Sequence, residues 1–552
     1  MNPKVNLSWR NLKVSTNQGI VLDTCNGKIN HSQISILLGG TGAGKSLLFN
    51  ILAGRQNNTL QITGEILINF NNINNSYLKI GSVISLVDET FYFFQKQTIW
   101  ETFYFSVKSY HLDKNTTFLL NKTQEIINIL DLENIKNNML FNLSQGEKKL
   151  VSIGAILAED PDIILLDEPF VMIDKWHTKR IMKILKKLTD HHKTVLVSIN
   201  SPDIEILKKC DKIFVLANSS FIFDGRYEEF EKFFQKKNEK IEDFLSDLLT
   251  VDYTSEIIEI NKRQKIRELK ERWYRNHSQD IDTTMYQSIK YSDRKNNLKK
   301  ISLILKRHLK IFKRSKETYR MVIIQKATFL IITCIVYPFI GYYQKDIQTR
   351  VGLCGFFVLN SIDRSMSIAL SSFSQSKLIA KREIVAGMYT STEMYISEYI
   401  FDFVLLYLST VLYVVPVYWI AQVNDNLYRF VLFLINHFCL VHFTVAYSLL
   451  IGIVTHSHKE AHMYGSVGLL IFSAFSGIFV NVSTIPSFSR WITWFSPLYY
   501  ALEFSLQVSL TLSIFIIYIL LIIFLGLIFS SLKFKPRMVN EKVDVWKDFI
   551  YE

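Results

Sequence analysis

The sequence lacks the cysteine pattern of a disulfide framework or of a metal site. Its five cysteines, Cys25, Cys210, Cys334, Cys354 and Cys439, show no metal-ligand spacing. Structural zinc and a disulfide-stapled secreted fold are therefore not expected. The N-terminus, Met1-Asn-Pro-Lys-Val-Asn, has no apolar core, so no signal peptide is expected and the N-terminal half should stay in the cytosol. Acidic residues are the minority: 50 Asp and Glu against 63 Lys and Arg leave a net charge of +13. A nucleic-acid binder has such a balance. Here the basic residues crowd the stretch before the first long apolar run, where positive-inside bias explains them, and no nucleic-acid partner is expected.

What the chain has in plenty is apolar. Hydrophobic residues make up 49% and aromatics 13%, with 40 Phe and 26 Tyr, which is high for a soluble enzyme. From Val322 onward there are several runs of about 20 apolar residues, the length that crosses a bilayer core. A length of 552 residues leaves room for several domains.

The N-terminal half is organised around Ile34 to Ser46. An apolar β-type run ends in Gly39-Gly40-Thr41-Gly42-Ala43-Gly44-Lys45-Ser46, and a helical pattern, Leu47 to Ala53, follows. This is the strand–loop–helix context of a phosphate-binding loop. Its glycines let backbone N–H groups curl around phosphate oxygens, and the helix N-terminus adds partial positive charge. Lys45 would reach the β- and γ-phosphates, and Ser46 would place a hydroxyl on Mg²⁺. Before this loop, Asn6 to Ile36 reads as short strands. Trp9 there is expected in the core rather than stacked on adenine.

Two further blocks follow. Leu143-Ser144-Gln145-Gly146-Glu147 opens a helical run to Ala158, a second anion-binding helix start. Then Ile163-Ile-Leu-Leu-Asp167-Glu168-Pro169 forms a buried strand with two carboxylates at its C-terminal end, where ligands bind in α/β sheets. Asp167 would hold Mg²⁺, and Glu168 would act as general base toward the attacking water.

These three blocks together resemble the ATPase domain of ABC transporters, in the order Walker A, signature, Walker B over residues 1 to about 235. The resemblance implies that two such domains sandwich two ATP molecules. The Walker A of one would then face Ser144 and Gly146 of the other, and Asp174 matches the D-loop aspartate. One ATPase domain per chain implies a half-transporter that pairs with a second. ATPase first and membrane second, Leu52-Ala-Gly-Arg55, and Lys381-Arg382-Glu383-x-x-x-Gly387-x-Tyr389 resemble the G subfamily, the white/brown type. So does the block from Phe475 to Ala501, which matches the end of a fifth helix and a re-entrant segment.

The chain departs from that pattern in three places. Asn200 stands where the family has its switch histidine, and it can bond a γ-phosphate but takes no proton. The Q-loop position falls at Glu89, a carboxylate that could still ligate Mg²⁺. Gln145 replaces a signature glycine and is expected to crowd a turn meant to lie close to phosphate. Two readings follow: a competent ATPase, which we favour because Lys45, Ser46, Asp167 and Glu168 are all present, or a subunit that relies on its partner.

Residues 236–300 read as a charged, solvated connector with one amphipathic island, Ile241 to Leu249. Leu298 to Lys316 reads as a basic amphipathic helix on the inner membrane face, with Ile301, Leu305, Leu309 and Phe312 on its apolar side. Six spans are expected, at roughly 323–342, 352–373, 400–420, 430–454, 464–480 and 510–530, with both ends cytosolic. Asp363 and Arg364 fall inside the second, where charges face a cavity or a partner helix. The expected architecture is an α/β P-loop ATPase domain (1–235), then the connector, then an all-α six-helix transmembrane domain of the ABC type-2 exporter kind (301–552). The expected function is ATP-driven export of a hydrophobic or amphipathic small molecule or lipid by a dimer, with ATP and Mg²⁺ as cofactors. The alternative is a regulatory subunit with weak hydrolysis. A plasma-membrane location is favoured over an internal one.

Overall fold

The computed structural model describes residues 5–16, 19–55, 60–70, 83–89, 92–235, 241–249, 256–276, 298–338, 340, 343–455, 457–506 and 511–534. Two compact units divide the chain, one over residues 1–295 and one over most of 296–535.

In the first unit, strands β1 (Val5–Thr16), β2 (Gly19–Ile29) and β4 (Gln61–Phe70) form an antiparallel sheet in the order β2-β1-β4. The sequence suggested several short strands here. β1 and β2 instead run long through breaks in register, and Asn11 and Thr24 take φ of 48° and 46° within them. A positive-φ residue inside a strand marks a bulge, which bends the strand without ending it. Trp9 is 1% exposed and packs on Phe214 and Phe221, so it is a core residue, as expected.

The second sheet carries the site. Its strands are β3 (Ile34–Gly39), β5 (Ile84–Val87), β6 (Ile163–Leu166), β7 (Thr194–Ile199), β8 (Lys212–Ala217) and β9 (Ser220–Gly225). The order is β5-β6-β7-β3-β8-β9, parallel except for the β8–β9 pair. β3, β6 and β7 are buried at every residue, as strands covered on both faces must be. Because β6, β7 and β3 are neighbours, the loops leaving their C-terminal ends lie side by side.

The covering helices start where the sequence supplies caps. Helices α1 (Lys45–Leu52), α2 (Ile99–Tyr110), α3 (Thr116–Ile129), α4 (Gln145–Leu157) and α5 (Lys175–Asp190) come in order. Thr98 with Glu101, and Ser144 with Glu147, make capping boxes, while Asp174 caps α5. Helices α6 (Ile204–Leu207), α7 (Tyr227–Phe234), α8 (Ile241–Leu249) and α9 (Glu256–Asn276) follow.

The connector departs from expectation. Phe244, Leu245, Leu248 and Leu249 of α8, and Ile266 and Trp273 of α9, are buried in the same core as β3 and α4. Apolar residues three and four apart give α8 one face to bury, and Trp273 lies 4.3 Å from the Phe223 ring on β9. The compact unit therefore runs past 235 rather than ending there.

The second unit is helical: α10 (Leu298–Arg314), α11 (Lys316–Val336), α12 (Ile347–Val385), α13 (Ser391–Ile420), α14 (Leu427–Val454), α15 (His458–Ala474), α16 (Ser487–Arg490), α17 (Pro497–Leu506) and α18 (Thr511–Phe534). Among the described residues, α13 and α14 are long and apolar enough to cross a membrane, and Ile323–Val336, Ile347–Ile362 and Tyr518–Ser530 are shorter apolar helices. α11 stops at Val336, short of the expected 342, just before Pro338. α12 runs for 39 residues, past the expected span end at 373, and takes in Lys377, Lys381 and Arg382. Lys377 Nζ donates to the carbonyls of Gly452, Ile453 and Thr455, where a cation complements the α14 C-terminus. The side chains of Asp363 and Arg364 lie outside the described residues. After α15 the chain turns through short helical segments into α17, and Asn436 of α14 donates to the Ala501 carbonyl and Ser505 Oγ there.

α10 leaves the apolar side, Ile301, Leu305, Leu309 and Phe312, partly or fully exposed. Its buried residues are Ile304, Arg307 and His308, while Leu309 is half exposed. Arg307 NH1 donates to both oxygens of Glu383 at 2.8 Å, and Tyr389 Oη donates to Glu383 Oε2 at 2.6 Å. A buried carboxylate offers enough attraction to draw an arginine off a polar face.

Candidate active site

The phosphate loop leaves β3 and ends at α1. Gly44 takes φ 100° as the N-cap of α1, and Gly42 takes φ 80°. The first turn of α1 has no capping side chain and no acidic residue. Its N–H groups thus meet no competing anion, as a phosphate site needs. Gly40 must be glycine for a second reason: a Cβ there would lie 2.0 Å from the Leu249 carbonyl oxygen at the end of α8. Thr41 and Ser46 are exposed, and Ala43 is partly buried.

Lys45 is 4% exposed. Its Nζ donates to the carbonyls of Gly39 and Gly40 at 2.7 and 2.9 Å, and to Asn200 Oδ1 at 2.5 Å. Glu168 Oε1 lies 3.7 Å away. Asn200 Nδ2 donates to Glu168 Oε2 at 2.5 Å. The residues that follow β3, β6 and β7 thus meet in one cluster. Burial pulls the Lys45 ammonium below its usual value and pushes the Glu168 carboxyl above its own, and their mutual attraction only partly opposes this.

Asp167 is 8% exposed and accepts from Ser198 Oγ at 2.6 Å, and its backbone N–H donates to the Val87 carbonyl at 2.9 Å. Glu168 has a left-handed backbone, φ 48°. This costs energy for a residue with a Cβ and persists only where neighbours hold it. Ser198 Oγ accepts from the Glu168 N–H at 2.9 Å, and Lys149 Nζ donates to its carbonyl at 3.1 Å.

Lys149 and Ser198 were not singled out from the sequence. Lys149 is 4% exposed and also donates to the Glu89 carbonyl at 2.9 Å. It thereby ties the Q-loop position to the Walker B carboxylate. Burial lowers its ammonium below the usual value, opposed by Glu89, Asp167 and Glu168. The signal was present: a lysine on the apolar-facing side of a buried helix needs acceptors. Glu89 itself is exposed, and beside it Asp88 pairs with Arg55 at 2.7 Å.

At the signature, Ser144 caps α4. Gln145 occupies the first helical turn and is exposed. Within the chain the tight position is Gly146, where a Cβ would lie 2.3 Å from the His177 ring. His177 was also missed.

The residues present fit Mg²⁺ and ATP. The loop offers uncapped amides and a buried lysine, and Asp167 with the exposed Ser46 offers the hard oxygen ligands that Mg²⁺ prefers. Among the described residues there is no cluster of three or more His, Cys, Asp or Glu that could hold a metal unaided. A site completed by substrate phosphates has no need of one.

Comparison with known proteins agrees with this geometry. Residues 22–171 match the family model described as ABC transporter, and residues 299–510 match that of the ABC-2 type transporter. An ATP-hydrolysing cassette and a transporter membrane domain therefore share one polypeptide, and the chain belongs to the ABC transporters. "ABC transporter G family member 4" of Arabidopsis thaliana is 28% identical over 485 residues, covering 86% of this chain and 80% of that one. "ABC transporter G family member 8" of the same plant is 26% identical, covering 91% and 83%. "ABC transporter G family member 12" of Dictyostelium discoideum is 24% identical, covering 87% and 76%. The chain has the make-up of a G-subfamily half-transporter: a membrane protein that couples ATP hydrolysis to transport.

Proposed function

We propose that two copies of this chain, or this chain and a related half-transporter, pair to export a hydrophobic or amphipathic small molecule or lipid. The carrying observation is the Lys45–Asn200–Glu168 cluster, which joins the ends of three neighbouring strands. Lys45 binds β/γ-phosphate oxygens. Glu168 takes the proton of the attacking water, and burial raises its carboxyl above the ordinary carboxylate value. Asn200 fixes Glu168 and bonds the γ-phosphate. Ser46, Asp167 and Glu89 would hold Mg²⁺, which supplies charge neutralisation between phosphate oxygens. Ser144 and Gly146 face the nucleotide held by the partner. Six spans form the membrane domain, the ATPase domain lies in the cytosol, and the plasma membrane is the favoured site. Large apolar side chains exposed along the helices, such as Ile335, Leu412, Leu470 and Leu520, support contact with lipid.

A second reading has its own support. Asn200 and Glu89 stand where a proton-binding histidine and a neutral glutamine were expected, which fits a regulatory subunit with weak turnover. The test is ATPase activity of the protein purified alone in lipid, beside Glu168→Gln. Turnover lost with that change supports the homodimer. ATP binding without turnover above the variant supports the regulatory reading.

A further inference from the structure

His177 stands one turn into α5, against the start of α4. Asp174 holds it at two points: Oδ1 accepts from its backbone N–H at 2.8 Å, and Oδ2 lies 2.8 Å from its Nδ1. A carboxylate only accepts, so Nδ1 carries a hydrogen. The other ring nitrogen, Nε2, lies 3.4 Å from Ser144 Oγ. The ring fills the space beside Gly146, where any Cβ would overlap it. Trp176 meets the ring edge-on at 4.8 Å, with Arg180 over the indole.

Ser144 Oγ has one hydrogen to give. It accepts from the Glu147 N–H at 3.3 Å and lies 2.9 Å from Glu147 Oε2. Glu147 Oε2 and bare Nε2 of His177 both lie within reach of that hydrogen. The carboxylate and the imidazole together therefore fix where the signature hydroxyl points.

We propose that His177 is a positioning residue for ATP hydrolysis, acting through the hydroxyl of Ser144 and held by Asp174. The inference rests on the reading above, in which Ser144 meets a nucleotide bound by a second copy. It places an imidazole at the signature of a chain whose switch position is an asparagine. Among the described contacts, the charged groups around the ring are Asp174 from its own helix start, Glu147 from α4, and Arg180 through Trp176.

The test is a mutant cycle in the full-length protein in lipid vesicles, with Ser144→Ala, His177→Ala and the double variant, each checked for an unchanged size-exclusion profile. His177→Ala is expected to lower kcat roughly tenfold, less than the loss of a whole charge-stabilising donor, with KM for ATP little changed. The double variant should be no worse than Ser144→Ala alone. His177→Gln, whose side-chain amide can also bond a hydroxyl, should recover part of the kcat that His177→Ala loses. Wild-type kcat in His177→Ala, or losses that multiply in the double variant, would overturn the proposal and leave the dimer reading intact. Were the wild type to show neither turnover above Glu168→Gln nor ATP-driven association between copies, the dimer reading would fall and this inference with it.

Discussion

Asn200 Nδ2 donates to Glu168 Oε2 across the gap between the ends of β7 and β6. A hydrogen bond to a carboxylate favours its charged form, so Asn200 restrains the upward push that burial gives Glu168. The base must be ionised to take a proton.

Asn200→Ala should therefore move the acid limb of the ATPase profile to higher pH. As pH falls, Glu168 in the variant protonates earlier and turnover is lost sooner. The measurement is kcat/KM against pH. An acid limb unmoved or displaced downward would show that Asn200 does not act on Glu168.

Lys149→Ala should slow turnover while leaving ATP affinity nearly intact. The lysine holds the carbonyls of Glu168 and Glu89. Two part-buried carbonyls left without their donor cost at most about 1–3 kcal/mol each. Single-turnover hydrolysis beside equilibrium nucleotide binding separates the two effects. A variant that binds ATP poorly yet hydrolyses normally when saturated would contradict this role.

Gly40→Ala should weaken nucleotide binding from behind. The new methyl meets the Leu249 carbonyl, which is backbone and cannot rotate away. Either the loop or the end of α8 must move. Fluorescent-nucleotide titration should show a Kd raised about tenfold or more, the effect of roughly 1.4 kcal/mol. Gly42→Ala, with no atom near the added carbon, isolates the cost of its φ 80° alone.

In the membrane unit, Glu383→Gln should destabilise by about 3–5 kcal/mol, because it leaves Arg307 buried beside a neutral group. Tyr389→Phe removes the bond to Glu383 and a longer one from Arg307, leaves the ion pair in place, and should cost less, about 1–2 kcal/mol. The pair Arg307→Met with Glu383→Leu should cost less than Glu383→Gln alone. Thermal unfolding in one detergent ranks the three. Should the double apolar variant prove the least stable, the pair would be contributing more than its own desolvation.

Much of the site was legible because its chemistry is local in sequence. The phosphate loop, Asp167-Glu168 and the Ser144 cap each declare themselves within a few residues, through glycine spacing, an apolar strand and a capping box. Asn200 was legible as the residue ending a buried strand. His177 and Lys149 were not, because their roles depend on what stands opposite: a glycine on another helix, and two carbonyls on other loops. On α10, periodicity marked the apolar side, Ile301, Leu305, Leu309 and Phe312, but the burial of Arg307 depends on Glu383, far along the chain. The connector misled because composition averages over charge, while four apolar side chains on α8 suffice to dock it.

Helix α12 carries no proline across its 39 residues. At about 1.5 Å per residue it is a rod of about 58 Å, nearly twice the roughly 30 Å of a bilayer core. Arg307 grips it near one end, at Glu383. A stiff rod pivoting about its midpoint moves its two ends in opposite directions, and a tilt of about 10° carries each by about 5 Å. With no proline to break the helix, a displacement of the Glu383 end carries over as an opposite displacement at Ile347.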